Sequence, residues 1–172
     1  MKKLIAITLC AIMTLSFAGC SNNSSAKNNS QKPVISGDVG MPNPFVDCAT
    51  IADAEKIAGF TVTVPEKMPE GYAQKLIQAV EKEMVQVFYE NGEKKILIRK
   101  AKGSEDISGD YNEYKENSTA TVGNLKVSTK GNDGKINVAT WVDGEYTYSI
   151  TANLGEAGLN TATIYDMVGS IR

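Results

Sequence analysis

The sequence predicts an α+β fold: an antiparallel β-sheet of about six strands, with a short N-terminal helix and a C-terminal helix packed on it. Three observations point there. Apolar and polar residues alternate in short runs, as in Leu125 to Lys130 and Ile136 to Val142. Turn signals such as Asn91-Gly92, Asp133-Gly134 and Asp143-Gly144 separate the runs. The last stretch changes to helical spacing, with Ile164, Met167, Val168 and Ile171 at i, i+3, i+4 and i+7 behind an Asn160 cap.

Taken in order, Thr50 to Ala58 predicts a short helix, capped by Thr50 and stopped by Gly59. Thr61 to Val64 reads as a β-branched strand closed by Pro65 and Pro69. Residues 73–84 are open: Ala73, Leu76, Ile77, Val80 and Met84 recur at helical spacing, while the intervals Leu76-to-Val80 and Ile77-to-Ala79 also fit the alternation of a strand. Glu90-Asn91-Gly92-Glu93 predicts a two-residue type I′ hairpin that sets Val85 opposite Ile98 and Val87 opposite Ile96. Leu125, Val127 and Thr129 form the apolar side of a strand that ends in the turn Gly131-Asn132-Asp133-Gly134. For the last hairpin, a three-residue Val142-Asp143-Gly144 loop keeps one apolar face. It pairs Thr140 with Tyr146, Val138 with Tyr148 and Ile136 with Ile150, and puts Trp141 on the other face with Asn137, Thr147 and Ser149. There Trp141 either packs under another element or is exposed as a contact surface.

The chain has 172 residues and divides into three expected parts: 1–19, 20–44 and 45–172. Lys2 and Lys3 precede a mostly apolar stretch from Leu4 to Phe17, whose helix would span about 21 Å, too short for a hydrocarbon core of about 30 Å. It reads as a signal peptide. Phe17-Ala18-Gly19-Cys20 resembles a bacterial lipobox, in which the cysteine sulfur takes a diacylglycerol before cleavage on its N-terminal side. The usual Leu is Phe17 here. Residues 20–44 are then a lipidated Cys20 and a Ser/Asn/Pro/Gly tether too polar to order itself by burial. Residues 45–172 are long enough for one α+β domain.

Cleavage at Cys20 removes two lysines and no acids, so 16 basic against 20 acidic residues leave a net charge of −4. That balance argues against nucleic acid as a partner. The expected partners are the membrane, through the lipid on Cys20, and an unidentified protein or small ligand outside it. With no histidine in the chain, Ser-His-Asp and Cys-His systems and His-ligated zinc are excluded. Cys48 is the one cysteine left in the folded part and reads as a packing thiol. No catalytic residues, metal ligands or cofactor are assigned, and the chain is read as a non-enzyme.

The richest stretch in polar side chains is the connection 102–117, KGSEDISGDYNEYKEN. Glu105, Asp106, Asp110, Tyr111 and Tyr114, with Trp141, form the candidate ligand or partner surface. Its oxygen density could hold a hard cation, but the spacing does not follow an EF-hand, and a solvated acidic connection is the plainer reading.

Several segments resemble a known family. They are Gly40-Met41-Pro42-Asn43-Pro44-Phe45, Val64-Pro65-Glu66-Lys67-Met68-Pro69-Glu70-Gly71-Tyr72, the run from Arg99-Lys100-Ala101-Lys102-Gly103-Ser104-Glu105-Asp106 to Tyr114, and Ala139-Thr140-Trp141 before Asp143-Gly144. Together they are similar to the domain-of-unknown-function family numbered 4367 of Gram-positive bacteria. The resemblance implies an extracytoplasmic domain, lipid-anchored or carried behind a membrane segment, in some members associated with sigma-factor control. It brings no catalytic residues, and it favours a strand for Gln74 to Val80. The expectation is a membrane-anchored lipoprotein with a binding or envelope-sensing domain. The alternative is a structural or lipid-handling envelope protein with an apolar cavity between sheet and helix.

Overall fold

The computed structural model describes residues 43–154 and 158–171. The expected signal peptide, Cys20 and the tether as far as residue 42 lie outside the described residues. The elements, in chain order, are β1 (Val46–Cys48), α1 (Ile51–Ala58), β2 (Ala73–Val80), β3 (Met84–Asn91), β4 (Lys94–Lys102), β5 (Glu116–Val122), β6 (Leu125–Asn132), β7 (Lys135–Asp143), β8 (Tyr146–Leu154), β9 (Leu159–Asn160) and α2 (Thr161–Ser170). They build one antiparallel sheet in the order β1-β2-β3-β4-β8-β7-β6-β5, with β9 paired to β7. The class is α+β, with nine strands among the described residues where about six are expected. The additional ones are short (β1, β9) or polar: β5 reads Glu-Asn-Ser-Thr-Ala-Thr-Val and shows little apolar alternation.

Both helices begin at a side-chain cap. Thr50 accepts from Asp53 N–H before α1, and Asn160 accepts from Thr163 N–H before α2. Gly59 ends α1 in the left-handed conformation (φ 75°). Ala54 and Ala58 of α1, then Ile164, Met167 and Val168 of α2 with Ile171 just beyond it, are buried on one face of the sheet. That core face also holds Ile77, Val87, Ile98, Ile150, Ala139 and Val127, one from each of six strands.

Residues 73–84 are not a helix. Ala73–Val80 is strand β2 and Met84 opens β3, so pairing to β3 overrides the helical periodicity. Residues 61–64 are not a strand either: they run as coil, with Val62 and Val64 packed on the core. Val62 and Val64 find their packing there without strand geometry.

Two registers differ from expectation. In the first hairpin Asn91 pairs with Lys94, so Val87 faces Ile98 and Tyr89 faces Ile96. The turn is Gly92-Glu93 with Gly92 at φ 62°, the first central position where a type II′ turn wants glycine. This two-residue slip leaves the same residues on the same face. In the last hairpin Asp143 pairs with Tyr146 around Gly144-Glu145, giving Trp141–Tyr148 and Ala139–Ile150 pairs. That slip is odd, so it reverses the faces, and Trp141 is 3% exposed on the core side. The premise of a single apolar face fails because Val138, Ser149 and Thr151, on the opposite side, are buried too. A bulge between Lys130 and Gly131 lets Ile136 and Ala139 both reach the core face.

Topology explains the second cover. β4 and β5 are separated by β8, β7 and β6, every pairing is antiparallel, and so β4 and β5 run in the same direction. The chain leaving β4 must cross three strands and the length of the sheet to start β5. With both helices on the core face, residues 103–115 make that crossing as a strap over the outer face.

Candidate functional site

The outer face has a row that is polar on each of the eight strands of the main path, β1 to β5 in sheet order. Its members, each paired to the next, are Asp47, Gln78, Gln86, Arg99, Ser149, Thr140, Ser128 and Thr119. Half of the row is a hydrogen-bond relay. Gln78 donates to Asp47 Oδ1 (2.6 Å), Gln86 donates to Gln78 Oε1 (2.6 Å), and Arg99 Nε donates to Gln86 Oε1 (2.9 Å). The flanking positions Leu76, Phe88 and Leu97 are half-buried and apolar, and the Gln86 bonds of the relay are partly buried while its Asp47 end is exposed.

The strap is fastened across this row by side chains of the sheet. Thr147 Oγ1 donates to Gly103 O (2.6 Å), Arg99 Nη1 to Ile107 O (2.8 Å) and Thr151 Oγ1 to Ser108 O (3.3 Å). Lys130 meets Asp106 at 3.4 Å, and Lys115 N–H donates to Asn132 Oδ1 (2.9 Å) at the far end. Gly109 sits at φ 65° against Arg99 Nη1, where a Cβ would collide.

The acidic side chains of the strap are largely occupied in shaping it. Asp106 Oδ1 accepts from Ser108 N–H (2.9 Å) and Asp110 Oδ1 from Asn112 N–H (2.8 Å), two Asx turns. Asp110 Oδ2 accepts from Tyr114 OH (2.9 Å). Burial pushes the Asp106 carboxyl up, but hydrogen bonds from Ser108 and the charge of Lys130 outweigh it and hold it below the ordinary range. Burial, then the bond to Asp110, push the Tyr114 phenol up to about 12. Tyr111 is 97% exposed at the strap's outer side. Among the described residues, no three Asp, Glu or Cys side chains converge as metal ligands do.

Beside the first half of the strap lies a cleft of about 410 Å³. Its lining includes the carboxylates of Glu105 and Asp106 from the strap, Lys126 from β6, and the hydroxyl residues Ser128, Thr140 and Thr147 from the sheet, Thr147 giving its hydroxyl proton to Gly103 O. Glu105, Asp106 and Trp141 of the expected surface thus border one cleft, while Asp110, Tyr111 and Tyr114 lie further along the strap. Trp141 is no exposed platform: it stacks on Tyr148 at 5.2 Å and 5° on the core side. Its Nε1 and the Ser149 hydroxyl are the buried side-chain polar atoms that lack a partner among the described residues.

Sequence reasoning missed two neighbouring charges. Arg99 and Lys100 interrupt the apolar run Ile96-Leu97-Ile98 and point to opposite faces, Arg99 to the strap and Lys100 to the core. Lys100 is 8% exposed, donates to Thr61 O (2.8 Å), and lies 4.3 Å from the ring centre of Tyr146, 5.2 Å from Tyr148 and 5.4 Å from Phe60. Burial pushes its ammonium pKa down, against the charges of Asp143 and Glu55. With Glu55 Oε1 accepting from Val62 N–H (2.7 Å), it pins the coil after α1 onto the sheet. The signal available in the sequence was the charged pair Arg99-Lys100 set between the apolar run Ile96-Leu97-Ile98 and Ala101.

Residues 62–159 match the family model described as Domain of unknown function (DUF4367). No curated protein and no solved structure matches the chain.

Proposed function

The chain belongs to the DUF4367 family, and from that premise we propose that it is a membrane-tethered extracytoplasmic lipoprotein with a non-enzymatic binding domain. The tether rests on Lys2, Lys3, the apolar run to Phe17 and the Ala18-Gly19-Cys20 sequence. Lipid on Cys20 attaches the protein to the outer leaflet, and the polar stretch after it lets the domain reach partners in the envelope.

The observation that carries the binding reading is the strap-walled cleft. A crossing that topology requires is lined on its open side with carboxylates, an ammonium group and hydroxyls. A cleft of that size lined by both carboxylates and an ammonium group suits a small polar or zwitterionic group, or a polar side chain of a partner protein. An apolar cargo between sheet and helices is less favoured, because Phe60, Ile164, Met167 and Val168 already fill that space.

Native mass spectrometry of the full protein released from its own membranes tests this, with and without added calcium. The expected result is a retained small molecule or partner that the Ser128→Trp variant, which fills the cleft, no longer holds. A mass equal to the lipidated polypeptide alone under both conditions contradicts the binding reading.

A further inference from the structure

The free edge of the sheet at β5 carries an inference independent of the cleft. Val122 pairs with Leu125 across the two-residue turn Gly123-Asn124, with Gly123 at φ 61°. That closure makes Val122–Leu125 a hydrogen-bonded pair, and antiparallel alternation then turns the N–H and C=O groups of Asn117, Thr119 and Thr121 away from β6. These groups recur about every 6.8 Å along the edge. None of them has a backbone or side-chain partner among the described residues.

Such an edge is normally blunted by a lysine, a proline, a bulge or a cover. Residues 117–122 contain no charge and no proline, their register with β6 is unbroken, and Asn117, Ser118, Thr119 and Thr121 are exposed. The opposite edge, β1, is three residues long and offers no comparable template.

We propose that β5 is a self-pairing edge, joining two copies of the chain into one continuous antiparallel sheet about a two-fold axis at Thr119. With the axis there, Asn117 faces Thr121 of the second copy and Thr119 faces its own counterpart. Every outward N–H then meets an outward C=O. A second copy fits better than a foreign peptide, because residues 117–122 have no charge to select one, the Glu116 carboxylate is taken up by Gly134 N–H, and about Thr119 the sequence meets itself with Glu116 opposite Val122 and no like charges opposed. The polar row supports the same axis: it ends at Thr119, so the copy continues it threonine to threonine. Seven-residue strands bury less than the roughly 800 Å² per partner of a standard interface, so the dimer is weak and concentration-dependent.

The test uses the full chain, compared with Thr119→Cys, Asn117→Cys and Thr121→Cys variants under mild oxidation, the parent with its native cysteines setting the background. Directly opposed Cα atoms in such a pair are about 5.5 Å apart, within disulfide range. Thr119→Cys should cross-link to itself at least several-fold above background, and the other two should cross-link when mixed but not alone. Sedimentation velocity should show dimer growing with concentration in the parent and lost in Thr119→Lys. Thr119→Cys at background, self-linking by Asn117→Cys, or a parent that is monomeric at every concentration overturns the proposal. So does a dimer unchanged by Thr119→Lys, since it would use another surface.

Discussion

Replacing Arg99 with Met separates the strap from the sheet while keeping most of the side chain's volume. Arg99 holds one relay residue and one strap carbonyl, Gln86 Oε1 at 2.9 Å and Ile107 O at 2.8 Å. Hydrogen bonds from a charged donor contribute about 1.5–3 kcal/mol each, so the gross loss is about 3–6 kcal/mol. Part of that is offset, because the half-buried guanidinium no longer has to be taken out of water and the Ile107 carbonyl, itself half-buried on the strap, can reach solvent. The net destabilisation is about 2 kcal/mol, which lowers Tm by roughly 6–10 °C in a domain of this size. Denaturant unfolding measures the global term. Hydrogen exchange read by peptide mass spectrometry locates it: amides in and under residues 103–115 should lose protection more than those in β2 and β3. Unchanged Tm together with unchanged exchange over 103–115 would refute the fastening role assigned to Arg99.

Other consequences are equally direct. Gly109→Ala forces a side chain into a left-handed backbone position against Arg99, costing about 1–2 kcal/mol, and its exchange pattern over the strap should match that of Arg99→Met. Trp141→Ala empties a core site and should destabilise by about 3–5 kcal/mol in urea titrations, with loss of the near-ultraviolet signal from the Trp141–Tyr148 stack. For Tyr114 the folded pKa is raised to about 12 from an ordinary value near 10, so the folded state keeps a proton that the unfolded chain has lost. Its contribution is complete below pH 10 and disappears as pH rises towards 12. Tyr114→Phe should therefore flatten the alkaline fall in stability, and an identical fall in both proteins would contradict the Asp110 bond.

Local chemistry made parts of this fold legible. Thr50 and Asn160 announce their helices because a hydroxyl or amide oxygen before an apolar stripe satisfies an open N–H, and both do so here. Leu125, Val127 and Thr129 alternate with exposed or half-buried partners, and their strand follows the pattern. Register was not legible, because the turns place glycine at the first central position, as at Gly92 and Gly144, where Asn-Gly and Asp-Gly signals assign it to the second. The one-face rule also misled for Trp141, since β7 and β8 are buried on both sides, by the core and by the strap. The acidic connection stood out by composition, but the hydroxyls of its cleft come from Ser128, Thr140 and Thr147 on three different strands. Only the strand order brings those together, and strand order is a long-range property that local periodicity does not carry.

The reading of the whole protein depends on where its amino terminus goes, so an intact-mass measurement on protein from bacterial membranes tests it most directly. The expected species starts at Cys20, carries a diacylglycerol adduct and sediments with the membrane, and Cys20→Ala leaves residues 1–19 attached and the adduct absent. An unmodified chain that retains residues 1–19 and fractionates with the cytosol would contradict the account.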